Sequence, residues 1–319
     1  MIAVWVIAGT AFAVLCFSLL PSLVCGRLMT RPCAFPDPVT ADEKQRIISA
    51  PSPWREQLTA AWDALDALSA RAVRIRAEDG AKLAGDLFEA PEHRGLVIFF
   101  HGFRSHPRHV FAAQVLAFHA QGWDALLVWQ RATGKSGGTA PTLGIREASD
   151  AAAWLRWAET ECPSRQTLLW GMSAGSSALA FASDKLSSPQ LRALVMECCF
   201  PVPAVQSGHD VRKRRAPWPL MRPWLILYMR LKAGVRLTDD NRACLRRTKL
   251  PCAFIQGTAD ATVPPADARS CYEACAGPKA WLEVEGAAHT LCFPVGGDAL
   301  WRRLTDFLNP FLDEKLQQQ

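Results

Sequence analysis

Five residues, Gly171-Met172-Ser173-Ala174-Gly175, narrow the choice of folds more than any other stretch of this chain. Before them, Gln166-Thr167-Leu168-Leu169-Trp170 reads as a short buried strand. After them, Ser176 to Lys185 is rich in Ala and Leu and reads as a helix. Strand, Gly-x-Ser-x-Gly and helix in succession describe a tight turn that lifts one hydroxyl clear of a sheet edge. A serine so placed is usually a covalent catalyst, which makes Ser173 the first candidate nucleophile. The bare pattern arises by chance in about one chain in ten of this length. It gains weight when an acid and a histidine follow in that order.

The surrounding chain fits such a turn. Val73–Arg76 and Leu83–Phe88 flank Glu78-Asp79-Gly80, a hairpin signal, so the sheet is expected to open with an antiparallel pair. Leu96-Val97-Ile98-Phe99-Phe100 is the continuous apolar run of a strand covered on both faces. Helical spacing at 108–121 and at Ile145, Ala148, Ala152, Leu155 and Ala158 alternates with strand patterns at 124–129 and 166–170. Further strands are expected at 194–196, 253–255 and 281–284, with helices near 265–276 and 298–313. Strands alternating with helices of this length imply an α/β fold with a mostly parallel central sheet flanked by helices. Residues 201–248 interrupt the alternation, with five prolines and then the apolar run Trp224–Met229. An insertion after a strand's carboxyl end lies where such sheets bind ligands, so a cap is one expectation and ordinary core packing the other.

The amino terminus is the second strong feature. From Met1 to Gly26 no side chain is charged and most are apolar, enough to cross a bilayer as one helix. A cleaved signal peptide competes with an anchor, but a positive n-region and a clear small-residue cleavage site are missing. Cys25 lacks the small neighbour a lipid-acceptor cysteine requires, since Ser22-Leu23-Val24 precedes it. The uncleaved, single-pass anchor is the favoured reading. Arg27 and Arg31 follow the span and no basic residue precedes it, which favours a cytoplasmic body, with a periplasmic or secreted one as the alternative. Prolines 32, 36, 38, 51 and 53 make 28–53 an irregular connector, and Trp54, Leu58, Trp62, Leu65 and Leu68 predict a helix laid on the body or the membrane surface.

Composition excludes several classes. A net charge of +6 with one basic run, Arg212–Arg215, and no reader motif argues against nucleic-acid binding. That run is either a solvated loop or a contact with anionic head groups or an acidic partner. Eleven cysteines at irregular spacing, with no Cys-x-x-Cys, suit buried free thiols in a reducing compartment better than disulfides or a metal site.

A serine hydroxyl needs a base, an acid to orient that base, and donors for the developing negative charge. His289, in Glu285-Gly286-Ala287-Ala288-His289, is the only histidine after His209 and follows the last strand. Asp260, in Gly257-Thr258-Ala259-Asp260, sits in a turn after the preceding strand, and Glu197 is the fallback acid. The oxyanion donors are expected to be the amides of Ala174 and of Phe103, the latter freed to face the serine by Gly102. His101 is expected to support that loop. Gly134-Lys135-Ser136 reads as a turn after a strand, because Trp129 stands where a phosphate loop requires its first glycine.

With these residues in order, the chain resembles the alpha/beta-hydrolase superfamily over about 71–313. Within it, the chain is most similar to membrane-anchored lysophospholipase-like or serine-aminopeptidase-like members. The resemblance rests on His101-Gly102-Phe103, Gly134-Lys135-Ser136-Gly137-Gly138, Gly171–Gly175, Gly257–Asp260 and Gly286–His289. One departure is Trp129-Gln130-Arg131-Ala132-Thr133, where relatives often carry an aspartate and Tyr-Arg-Gly. The resemblance implies Ser173 as nucleophile, Asp260 as acid, His289 as base, and Phe103 and Ala174 as oxyanion donors. The organisation expected is an anchor at 1–26, a linker and helix at 27–70, and a hydrolase domain at 71–315 with a helical cap at 201–248. The function expected is a serine hydrolase cleaving a carboxylic ester or thioester, lipid-like or acyl, with no cofactor. An aminopeptidase or amidase and a non-catalytic scaffold are the alternatives.

Overall fold

The structure is a computed structural model that describes every residue except Ser49, Ser164, Glu314, Gln318 and Gln319. An apolar helix opens the chain as α1 (Ile2–Val14), a π-helical turn (Leu15–Leu19) and α2 (Leu20–Thr30). It is the one helix among the described residues long and apolar enough to cross a membrane, by length and composition. It runs four residues past the boundary expected at Gly26. The connector is less irregular than its prolines suggest, because α3 (Ala41–Ile47) forms inside it. The reason is a capping box: the Thr40 side chain accepts from Glu43 N while Glu43 reaches back to Thr40 N. The next helix, α4 (Trp54–Asp66), lies on the body and buries Leu58, Trp62 and Leu65.

Eight strands make one sheet in the order β1-β2-β4-β3-β5-β6-β7-β8. They are β1 (Arg71–Arg76), β2 (Lys82–Phe88), β3 (Gly95–Phe100), β4 (Trp123–Trp129), β5 (Gln166–Met172), β6 (Leu191–Glu197), β7 (Cys252–Gly257) and β8 (Lys279–Val284). The first two strands pair antiparallel, β2 pairs antiparallel with β4, and every later pairing is parallel. The helices α5 (Pro107–His119), α6 (Glu147–Glu161), α7 (Ala174–Ala182), α11 (Pro265–Ala274) and α12 (Cys292–Leu308) supply the layers. Two apolar clusters form, one on each face of the sheet. Strands covered on both faces are apolar along most of their length, as β3, β4 and β5 are, and the buried carboxylate of β4, Asp124, is paired with His93 and Arg165.

The insertion is helical: α8 (Pro203–Lys213), α9 (Trp218–Ala233) and the short α10 (Arg242–Leu245). The apolar run 224–229 lies in α9, where Leu225 and Met229 are buried and Leu227 is exposed. Its main partner is the amino-terminal helix. Ser18, Ser22, Gly26 and Thr30, each four residues apart, form one buried stripe. Ser18 Oγ donates to Leu220 O (2.5 Å) and Ser22 Oγ to Met221 O (3.0 Å). A Cβ at Gly26 would lie 2.4 Å from the Tyr228 ring. Small side chains let two helix backbones approach closely. Pro223 lies inside α9 and removes one N–H from that helix.

Candidate active site

Parallel strands end together, so the loops after β3, β5, β6, β7 and β8 share one rim of the sheet, where such folds bind ligands. Ser173 stands on that rim between β5 and α7, with φ 54° and ψ −113°, a strained conformation for a residue with a side chain. The flanking glycines serve close approach. A Cβ at Gly175 would sit 1.9 Å from Phe100 O, and one at Gly171 2.5 Å from the Gly175 backbone. Three contacts hold the turn from beneath: Ser173 N donates to Glu197 O (2.8 Å), and Ser176 Oγ lies 2.7 Å from Gly171 O and 2.6 Å from Glu197 O. Ser176 carries no signal in the sequence beyond lying three residues after the candidate nucleophile.

Asp260 and His289 come from the loops after β7 and β8. Those loops are laced together: Thr258 N donates to Val284 O (3.1 Å), Ala259 N to Ala287 O (3.1 Å) and Gly286 N to Thr258 Oγ1 (2.8 Å). The result brings Asp260 Oδ2 to 2.7 Å from His289 Nδ1. A carboxylate only accepts, so Nδ1 carries a proton, and in the neutral ring Nε2 is left with its lone pair. The other carboxylate oxygen accepts from Thr262 N and Val263 N, both at 2.8 Å, which orients it. Burial raises the Asp260 carboxyl, but the imidazole and the Val263 amide outweigh this and hold it below its ordinary value. For His289, burial favours the neutral ring, yet Asp260 and the Cys198 sulfur prevail and raise it to about 10.

Ser173 makes no side-chain hydrogen bond to the ring among the described residues, a common state in unliganded sites. The two are nevertheless joined through β6. Ser173 N bonds Glu197 O, and the next residue, Cys198, places its sulfur within 4.8 Å of ligand atoms of both Asp260 and His289.

The fallback acid Glu197 does not pair with His289 among the described residues. It is fully buried, and burial pushes its carboxyl up to about 7, against the lowering influence of Trp170 and Cys292. Neither oxygen meets a well-formed hydrogen bond. Cys198, which sequence reading took only as a buried thiol, is in fact a neighbour of the imidazole, and no spacing signal marks it. Among the described residues, two groups have donor atoms close enough for a metal ion, Glu197–Cys198–Cys292 and Cys198–Asp260–His289, each within 4.8 Å. An ion in the second would occupy the ring and the carboxylate that acid–base work requires.

The loop after β3 faces the serine. Position 102 lies against it, since a Cβ there would be 3.4 Å from Ser173 Cβ. That is ordinary contact, and Gly102 lacks a left-handed φ, so it does not shape the turn as expected. The left-handed residue is Arg104 (φ 53°). Among the described residues the Phe103 N–H has no recorded partner, and Ala174 opens α7, where helix N–H groups are unpaired. His101 is pinned: Nδ1 donates to Gly102 O (2.7 Å), Nε2 accepts from Gln130 N (3.0 Å), and burial lowers it to about 4. In the turn after β4, Ser136 Oγ donates to Trp129 O (2.6 Å) and accepts from Ala84 N (2.8 Å).

A cavity of about 1110 Å³ opens beside this loop, bordered by Phe103, Arg104 and Leu143 and closed by α8, α9 and the apolar helix.

No family model matches the chain, and no curated protein matches it. Solved structures do. An esterase of Pyrococcus furiosus, Pf2001, superposes with TM-score 0.66 at 19% identity, covering 89% of this chain and 98% of its own. The alpha/beta hydrolase GrgF from Penicillium sp. sh18 gives 0.56 at 20% identity, over 77% and 99%. The esterase RhEst1 from Rhodococcus sp. gives 0.54 at 15%, over 75% and 98%. Strand order, elbow and these neighbours agree, and the fold is that of the alpha/beta hydrolases.

Proposed function

We propose that the chain is a membrane-tethered serine hydrolase that cleaves a carboxylic ester or thioester through an acyl-enzyme. The observation that carries this reading is the Asp260–His289 pair at 2.7 Å on the same sheet rim as the strained Ser173. His289 Nε2 takes the Ser173 proton as Oγ attacks the carbonyl carbon. The carbonyl oxygen gains the charge and meets the amides of Phe103 and Ala174. Collapse breaks the bond to the leaving group, which takes the proton from His289. Water then adds by the same route, releasing the acid and restoring the serine.

The tether reading is supported by the length and apolar composition of the helix Ile2–Thr30, whose stripe from Ser18 to Thr30 docks it on α9. Arg27 and Arg31 at its lower end favour a cytoplasmic body. Labelling of intact and permeabilised cells by a fluorophosphonate probe tests both points. Labelling lost in Ser173→Ala supports the chemistry, and unchanged labelling of that variant refutes it.

A further inference from the structure

The large cavity is walled on one side by the amino-terminal helix and on the other by the cap. Leu20, Val24, Leu28 and Met221 give it an apolar lining. The lining also holds Arg31, Arg104, Lys213 and Arg214, four cations against one carboxylate, Asp210. That carboxylate is the weaker charge, because burial raises its pKa, and it lies within electrostatic reach of His289. Along the helix the cavity runs from Cys16 to Arg31, about 22 Å at a rise of about 1.5 Å per residue. One leaflet of hydrocarbon is about 15 Å deep. The cavity is therefore long enough for a whole acyl chain and a head group.

The exposed large hydrophobic residues point the same way. Among the described residues every one lies on the amino-terminal helix or on the cap, the latter at Val205, Leu220, Leu227 and Leu231. Such a patch marks a membrane or partner surface, and Leu20, Val24 and Leu28 belong both to it and to the cavity lining.

Resting on the hydrolase reading above, we infer that the substrate is an anionic amphiphile, a fatty-acyl ester whose head group carries net negative charge. The acyl chain lies along Leu20, Val24 and Leu28, the ester reaches the Phe103 amide, and the head group sits among Arg31, Lys213 and Arg214. The chain's own anchor thus forms the acyl site, and the head group selects by charge.

The test uses the full chain in neutral detergent micelles carrying trace substrate, and compares oleoyl-lysophosphatidylglycerol with oleoyl-lysophosphatidylcholine. Wild type is expected to hydrolyse the anionic ester with the higher kcat/KM. The double substitution K213E/R214E is expected to lower that ratio by about tenfold or more, the scale of one lost charged hydrogen bond. Because the ratio is taken within one protein, partial damage to the triad cancels. The double substitution R222E/R230E changes the same number of charges on α9 outside the cavity and is expected to leave the ratio near the wild-type value. Equal rates on the two esters in wild type, or an equal fall in both pairs of substitutions, overturns the inference. Its fate is separable from that of the hydrolase reading. Ser173→Ala should still be stabilised thermally by the anionic ester more than by the zwitterionic one, whether or not turnover is seen.

Discussion

The body of the molecule and its anchor–cap unit are built on opposite rules. Around the sheet, apolar strands are covered on both faces and the large hydrophobic side chains are inside. On the amino-terminal helix many are outside, as are Val205, Leu220, Leu227 and Leu231 of α8 and α9, and that helix meets α9 through hydroxyls, a glycine and backbone carbonyls. Water drives the first kind of assembly, whereas close packing and hydrogen bonds suffice for the second in an apolar medium. The difference teaches where to look for two kinds of failure. Changes on the sheet rim should stop chemistry on every substrate, and changes at the anchor–cap seam should affect amphiphiles alone.

The largest effect tests the first half. Ser173→Ala should reduce kcat on a soluble short-chain aryl ester by about 10⁴-fold or more with the fold retained by circular dichroism. Asp260→Asn comes next, with a loss of about 10²–10⁴-fold from a misplaced tautomer. It also has a signature in pH. The base must be neutral to act, and His289 is held above its ordinary value, so kcat/KM in wild type should rise with pH with an inflection above about 6.5. Without the carboxylate, burial pulls the ring down and the inflection should move to lower pH. An unmoved inflection would assign the pH dependence to another group.

Gly26→Leu tests the second half. Its side chain meets the Tyr228 ring, an overpacking that costs about 1–3 kcal/mol. Hydrolysis of an acyl amphiphile should fall several-fold while the short soluble ester is spared. Equal losses would erase the distinction between the two regions.

The smallest effect is on stability. Glu197 titrates near 7 when folded, above its ordinary value of 4.5, so the folded state holds an extra proton between those limits. Stability from this group is greatest at or below about pH 4.5 and declines as pH rises toward 7, by on the order of 3 kcal/mol at most. Glu197→Gln should flatten that decline in urea unfolding curves measured from pH 5 to 8.

Much of the body was readable because burial on both faces and helical periodicity leave strong marks, as at 96–100 and 145–158. Ser173, Asp260 and His289 each follow a strand, a placement that chain order marks, and Asp260 meets His289. What could not be read depends on three-dimensional neighbours. Ser176 under the elbow, Cys198 beside the imidazole and the stripe from Ser18 to Thr30 each look ordinary in isolation. The stripe was hidden inside a segment whose apolar composition already explained it. The connector holds more structure than its prolines suggest, because Thr40 and Glu43 cap α3.

Arg104 gives the anchor a further consequence. Its guanidinium holds the carbonyls of Leu28 (3.1 Å) and Arg31 (2.8 Å) at the foot of the apolar helix, and it immediately follows the amide expected to receive the substrate oxygen. A bilayer too thick or too thin for that helix tilts it, and the tilt pulls on a residue one peptide away from the chemistry. On the tethered-hydrolase proposal, lipid thickness is a mechanical input to this site, so turnover should vary with the acyl length of the host vesicle even when the substrate is held constant.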